Sequence, residues 1–144
     1  MPAPLFTVRV QRNLSEVSRV NGELEKLWEQ QRLPDDGRME VLLCVEEVLS
    51  NVIRHGFPGD GEDEVWLHAD LAAGEIKIRI EDNGEAFDPL SYPPPPLDVP
   101  LQQRRTGGLG IHLVRKLMDR VTYERSGGRN CFSMAKKIAA GIEA

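Results

Sequence analysis

Residues Glu75 to Glu81 run Glu-Ile-Lys-Ile-Arg-Ile-Glu. Side chains along a strand alternate between its two faces, so Ile76, Ile78 and Ile80 fall on one side and Glu75, Lys77, Arg79 and Glu81 on the other. One face of the sheet must be buried and the other must meet water. A parallel sheet wrapped by helices on both sides is excluded, because its strands are apolar throughout. The pattern predicts an antiparallel or mixed sheet with its helices stacked on a single face.

The remaining segments fit that scheme. Leu5 to Val10 alternates and predicts a first strand, with Phe6, Val8 and Val10 inward. Asn13 or Ser15 is expected to cap a helix running to about Leu33. Pro34-Asp35-Asp36-Gly37 ends that helix and starts a second one, expected to close at His55-Gly56 with Pro58 just beyond. Glu64 to Leu71 alternates again, and Ala72-Ala73-Gly74 predicts a tight turn into the isoleucine strand. Gly110 to Arg120 predicts a third helix, followed by strands at Val121–Arg125 and Cys131–Lys137 joined across Ser126-Gly127-Gly128. The order β-α-α-β-β-α-β-β implies an α+β fold, a two-layer α/β sandwich with a mixed, mostly antiparallel sheet. All 144 residues (1–144) are expected to form one domain.

Composition narrows the function classes. A net charge of −5 argues against direct nucleic-acid binding, which normally needs a basic face. No apolar run approaches the ~20 residues of a membrane span, and the N-terminal residues lack a signal peptide's apolar core. Cys44 and Cys131 form no CxxC and sit in apolar-patterned segments, so both are expected to be reduced, buried, small hydrophobes in a cytoplasmic protein. His55, His68 and His112 are scattered, with no zinc-like spacing.

Three pieces carry chemistry. The second helix places Glu47 and Asn51 four residues apart, so a carboxylate and a carboxamide point the same way, on the flank opposite the apolar face. The isoleucine strand ends at Asp82-Asn83-Gly84, ordinary turn chemistry that also suits an acceptor beside a backbone open to a flat ring. Thr106-Gly107-Gly108-Leu109-Gly110 opens a helix, where unpaired N–H groups and the helix dipole favour an anion, and Arg104 and Arg105 precede it. Between the last two pieces lies a segment without helical or strand period, holding Pro89, Pro93 to Pro96 and Pro100. Loops of that length in a compact domain tend to be lids or binding loops.

In this order the three pieces resemble the N, G1 and G2 boxes of the GHKL ATPase superfamily. Glu-Glu-Val-Leu-Ser-Asn-Val-Ile-Arg-His-Gly (46–56), Glu-Asp-Asn-Gly-Glu-Ala-Phe-Asp-Pro (81–89) and the stretch from Thr106 to Glu124 resemble the bacterial anti-sigma-factor serine/threonine kinases within it. The resemblance implies ATP and Mg²⁺ as cofactors, with Asn51 as the metal ligand and Glu47 as the base that takes a serine proton. It implies Asp82 and Gly84 at the adenine, and Arg105, Thr106, Gly107, Gly108, Leu109 and Gly110 around the phosphates, with an ATP lid at about 85–107. The implied partners are a sigma factor and an anti-anti-sigma protein of the STAS type, and relatives of this kind commonly form homodimers. Two departures stand out: the second glycine of the superfamily's DxGxG is missing, and Gly128-Arg129-Asn130 stands where many relatives carry Gly-Thr-Thr. Two other readings fit parts of the pattern. One is a non-catalytic nucleotide-binding module that sequesters a partner, which would need Asn51 and the glycines but no base at Glu47. The other is a detached histidine-kinase ATP domain, which a preceding phosphoacceptor helix would favour and which none here supports.

Overall fold

The computed structural model describes residues 4–54, 62–91 and 106–138. Five strands form one sheet in the order β1-β2-β3-β5-β4, with β1 at Phe6–Val10, β2 at Val65–Ala72, β3 at Glu75–Asp82, β4 at Arg120–Ser126 and β5 at Arg129–Lys137. Every pairing is antiparallel, so the expected mixed sheet is antiparallel throughout the described residues. Helices α1 (Ser15–Gln30), α2 (Arg38–Arg54) and α3 (Thr106–Leu117) supply the second layer, with α2 packed against both α1 and α3.

The isoleucine row sets the core. Ile76, Ile78 and Ile80 are each about 1% exposed, and their neighbours in register are Leu71, Ala69 and Leu67 on β2 and Lys136, Met134 and Phe132 on β5. Each buried isoleucine contributes roughly 1.5–3 kcal/mol over leaving it in water. From the helix side Val20 and Leu24 of α1, Val45 and Leu49 of α2 and Val114 of α3 close the layer. Among the described residues no helix covers the opposite sheet face, which carries Trp66 under the Arg9 guanidinium, 5.5 Å from the ring centre. Cys131 lies on that face, half-buried, so only Cys44 meets the expectation of a buried cysteine. In β5 the inward parity belongs to Asn130, Phe132 and Met134, which leaves Cys131 outward.

Several boundaries differ from expectation. Neither Asn13 nor Ser15 caps α1; Leu14 holds the N-cap position, and Asn13 Oδ1 accepts the Ser15 N–H at 3.0 Å one step earlier. The helix stops at Gln30 rather than Leu33, because Arg32 turns left-handed at φ 51° and the Leu33 N–H reaches back to the Trp28 carbonyl at 3.0 Å. Helix α3 starts four residues before Gly110. Glycine costs a helix only about 1 kcal/mol relative to alanine, which the apolar stretch that follows outweighs. It ends at Leu117 because Arg120 is already paired with Ala135 in the sheet.

The β2–β3 turn contains a testable flaw. Ala73 and Gly74 both have positive φ, 53° and 74°, the two-residue turn that favours Asn-Gly. A left-handed alanine costs about 1 kcal/mol, and asparagine tolerates that conformation without glycine's backbone entropy. Ala73→Asn should stabilise the protein by about 0.5–1 kcal/mol, read as a raised denaturation midpoint. An unchanged or lower midpoint would contradict the turn assignment.

Candidate active site

Asp82 is the last residue of β3 and continues the inward row of Ile76, Ile78 and Ile80. Its neighbours in register are Val65 on β2 and Asn130 on β5, and Asn130 in turn pairs with Arg125 on β4. The alternation that buries the isoleucines therefore buries a carboxylate at the end of the same row, 6% exposed. Asp82 Oδ1 accepts the Gly84 N–H at 2.9 Å, which closes a turn two residues on, and the Asn130 Nδ2–H at 2.9 Å. Oδ2 has no hydrogen bond among the described residues. Burial pushes the carboxyl above its ordinary range, while the bonds from Asn130 and Gly84 and the fields of Arg125 and Arg129 oppose that rise. Oδ1 makes the turn that Asp82-Asn83-Gly84 predicts, while Oδ2 has no donor among the described residues and is available to one.

Asp82 lines a pocket between the sheet end and α2, together with Asn51, Val48 and Val52 of α2, Ile111 of α3, and Asn130 and Phe132 of β5. Glu85, Phe87 and Pro89 form its outer wall. The cavity volume is about 30 Å³, room for a water, within about 420 Å³ of empty space that includes open solvent. A purine therefore requires the Phe87–Pro89 wall to give. That wall is better ordered than a period-free segment suggests: Pro89 to Ser91 form one 3-10 turn, Pro89 is buried, and Arg115 of α3 donates to the Leu90 carbonyl. Gly84 is buried and its carbonyl accepts from Arg125 Nη1 at 2.7 Å.

The expected opposite flank for Glu47 and Asn51 is corrected by the packing. Because α1 and α3 cover α2 on both sides, its buried surface is broader than one apolar stripe, and Asn51 is only 7% exposed. Its amide has no hydrogen bond among the described residues and is not sealed from solvent, which leaves it available to a ligand. Asn51 faces the pocket that Asp82 lines. Glu47, half-buried one turn earlier, lies against Gly110 of α3. A methyl group on Gly110 would collide with Glu47 Oε2 and come within 3.2 Å of its carboxyl carbon. The glycine was expected for its place near phosphates; the structure gives it a separate reason, room for the Glu47 carboxylate.

Thr106, Gly107, Gly108 and Leu109 form the first turn of α3 rather than a loop ahead of it. The first N–H groups of any helix lack an internal acceptor, so the donors that the anion expectation needs are still found at that end. Arg105, Arg104 and the stretch 92–105 of the expected lid lie outside the described residues, as do His55 and Gly56. Sequence reasoning left Asn130 without a role. Its signal was present all the same: a polar residue at the inward parity of β5, in phase with Phe132 and Met134, has to find buried partners.

The histidine kinase-like ATPase domain profile matches residues 10–136. The serine/threonine-protein kinase BtrW of Bordetella bronchiseptica is 31% identical over 102 residues, 71% of this chain and 72% of that one. The anti-sigma F factor of Halalkalibacterium halodurans is 27% identical over 60% of this chain and 59% of its own length. Among solved structures, the RsbU and RsbW domains of a Mycobacterium tuberculosis protein superpose with a TM-score of 0.68 at 14% identity, over 95% of this chain and 32% of that one, which shows the shared fold. No helix among the described residues is long and apolar enough to cross a membrane. The chain belongs to the histidine kinase-like ATPase family, whose members use ATP, and within it to the group of serine/threonine-protein kinases and anti-sigma factors.

Proposed function

We propose that this chain is a cytoplasmic kinase that moves the γ-phosphate of ATP to a serine or threonine hydroxyl of a STAS-type anti-anti-sigma protein, and that it holds a sigma factor as its alternative partner. The observation that carries the reading is the Asn51 amide, which has no hydrogen bond among the described residues, lines the same pocket as the Asp82 carboxylate and stands one turn from Glu47. Asp82 accepts the exocyclic amino group of adenine, beside the Gly84 backbone. The N–H groups of the first turn of α3, Thr106 to Leu109, surround the phosphates together with Arg105, and Gly110 leaves room for the Glu47 carboxylate. The Asn51 amide oxygen suits Mg²⁺, a hard cation that takes oxygen ligands; when bound it would neutralise phosphate charge.

Glu47 accepts the proton as the substrate hydroxyl oxygen bonds to the γ-phosphorus. The bond from that phosphorus to the bridging oxygen breaks, and ADP leaves with the electron pair. Segment 85–107 serves as the lid: its first residues wall the pocket, and its far end leads into the phosphate-binding turn. A homodimer is part of the proposal.

Calorimetry with ATP and Mg²⁺ tests the site. Wild-type protein should bind, and Asp82→Asn should lose about 1–3 kcal/mol, because an amide replaces a charge-assisted acceptor. Equal affinity in the two proteins would remove Asp82 from the base site. A wild-type chain that binds no ATP would remove the whole reading.

A further inference from the structure

Asn130 has every hydrogen-bonding position of its amide in use. Its Nδ2 donates to Asp82 Oδ1 at 2.9 Å and to the Glu85 carbonyl at 2.8 Å. Its Oδ1 accepts from the Tyr123 hydroxyl and from the Phe87 N–H at 3.3 Å. The side chain is 6% exposed although it lines the pocket. An amide has two donor hydrogens and one acceptor oxygen with two lone pairs, so this one has nothing left for a ligand. It joins β3, β4 and the pocket wall at one point.

We infer that Asn130 is a positioning residue for purine discrimination: it fixes Asp82 through Oδ1 so that Oδ2 is presented to a 6-amino group, without touching the base itself. The inference rests on the adenine site proposed above. A carboxylate free to rotate would offer either oxygen at variable angle, and the strength of a hydrogen bond falls steeply with misalignment. The two bonds to Glu85 and Phe87 add a second consequence. They tie the wall that must give for a purine to the same side chain that orients the acid, so the wall and the acceptor are set together.

The test compares ATP with purine riboside triphosphate, which lacks the 6-amino group, by measuring the affinity of each. Wild type should prefer ATP. Threonine and valine are isosteric and suit a strand, and only threonine keeps a hydroxyl able to donate to Asp82. Asn130→Thr should retain the preference, whereas Asn130→Val should lose about tenfold of it through its ATP affinity alone. A merely structural role would weaken both nucleotides equally in both variants. Preference kept in Asn130→Val, or lost equally in the two variants, overturns the inference. Should both variants fail to fold, the wild-type Asn130 side-chain amide protons decide by nuclear magnetic resonance: the proton donated to Asp82 should shift further with ATP than with the analogue. Identical shifts with both nucleotides overturn it. A wild type that binds neither nucleotide refutes the ATP site, whereas one that binds both alike refutes the Asp82 contact and the role of Asn130 with it.

Discussion

Glu47→Gln is expected to bind ATP as wild type does and to transfer phosphate ~10²–10⁴-fold more slowly, the usual cost of losing a general base. The substitution preserves size and polarity and removes only the ability to take a proton. Asn51→Ala should fail differently. It takes away the amide of a pocket-lining residue, so Mg²⁺-dependent ATP binding and transfer should weaken together. Nucleotide affinity measured beside transfer rate separates the two roles. A Glu47→Gln protein with full transfer would leave the kinase without this residue as its base.

The second large effect comes from a single methyl group. Gly110→Ala places a Cβ on the Glu47 carboxylate, and what must yield is the end of a flexible side chain rather than backbone. The fold should hold, helped by alanine's higher helix propensity of about 1 kcal/mol. The carboxylate should swing away, and a displaced catalytic group costs transfer on the order of 10²-fold. ATP affinity and the melting midpoint should stay near wild type. In a Glu47→Gln background the same change should add little, because the base is already lost. If Gly110 instead serves the phosphates, affinity for ATP falls along with transfer, and the double variant is worse than either single one.

The strand Glu75–Asp82 shows why much of this molecule is legible in its residues. Period-two alternation is local, and it specifies the buried face, the antiparallel character and the inward direction of Asp82 together. Glu47 and Asn51 were legible as a pair because helical spacing is local as well. Their burial was not, since it depends on α1 and α3 packing on both sides of α2. Asn130 and Asp82 are 48 residues apart, and only the β3–β5 register sets them side by side. The contact of Gly110 with Glu47 is likewise a matter of how two helices meet. What escapes sequence reasoning here is pairing across elements, and that pairing equips the pocket.

The most direct test of the account is transfer of labelled γ-phosphate from ATP to a purified STAS-domain protein encoded near this chain's gene. The wild-type chain should label that protein on serine or threonine, in a reaction that requires Mg²⁺ and is lost in Glu47→Gln. A chain that binds ATP tightly yet labels no such partner would contradict the kinase and leave a nucleotide-dependent binding module in its place.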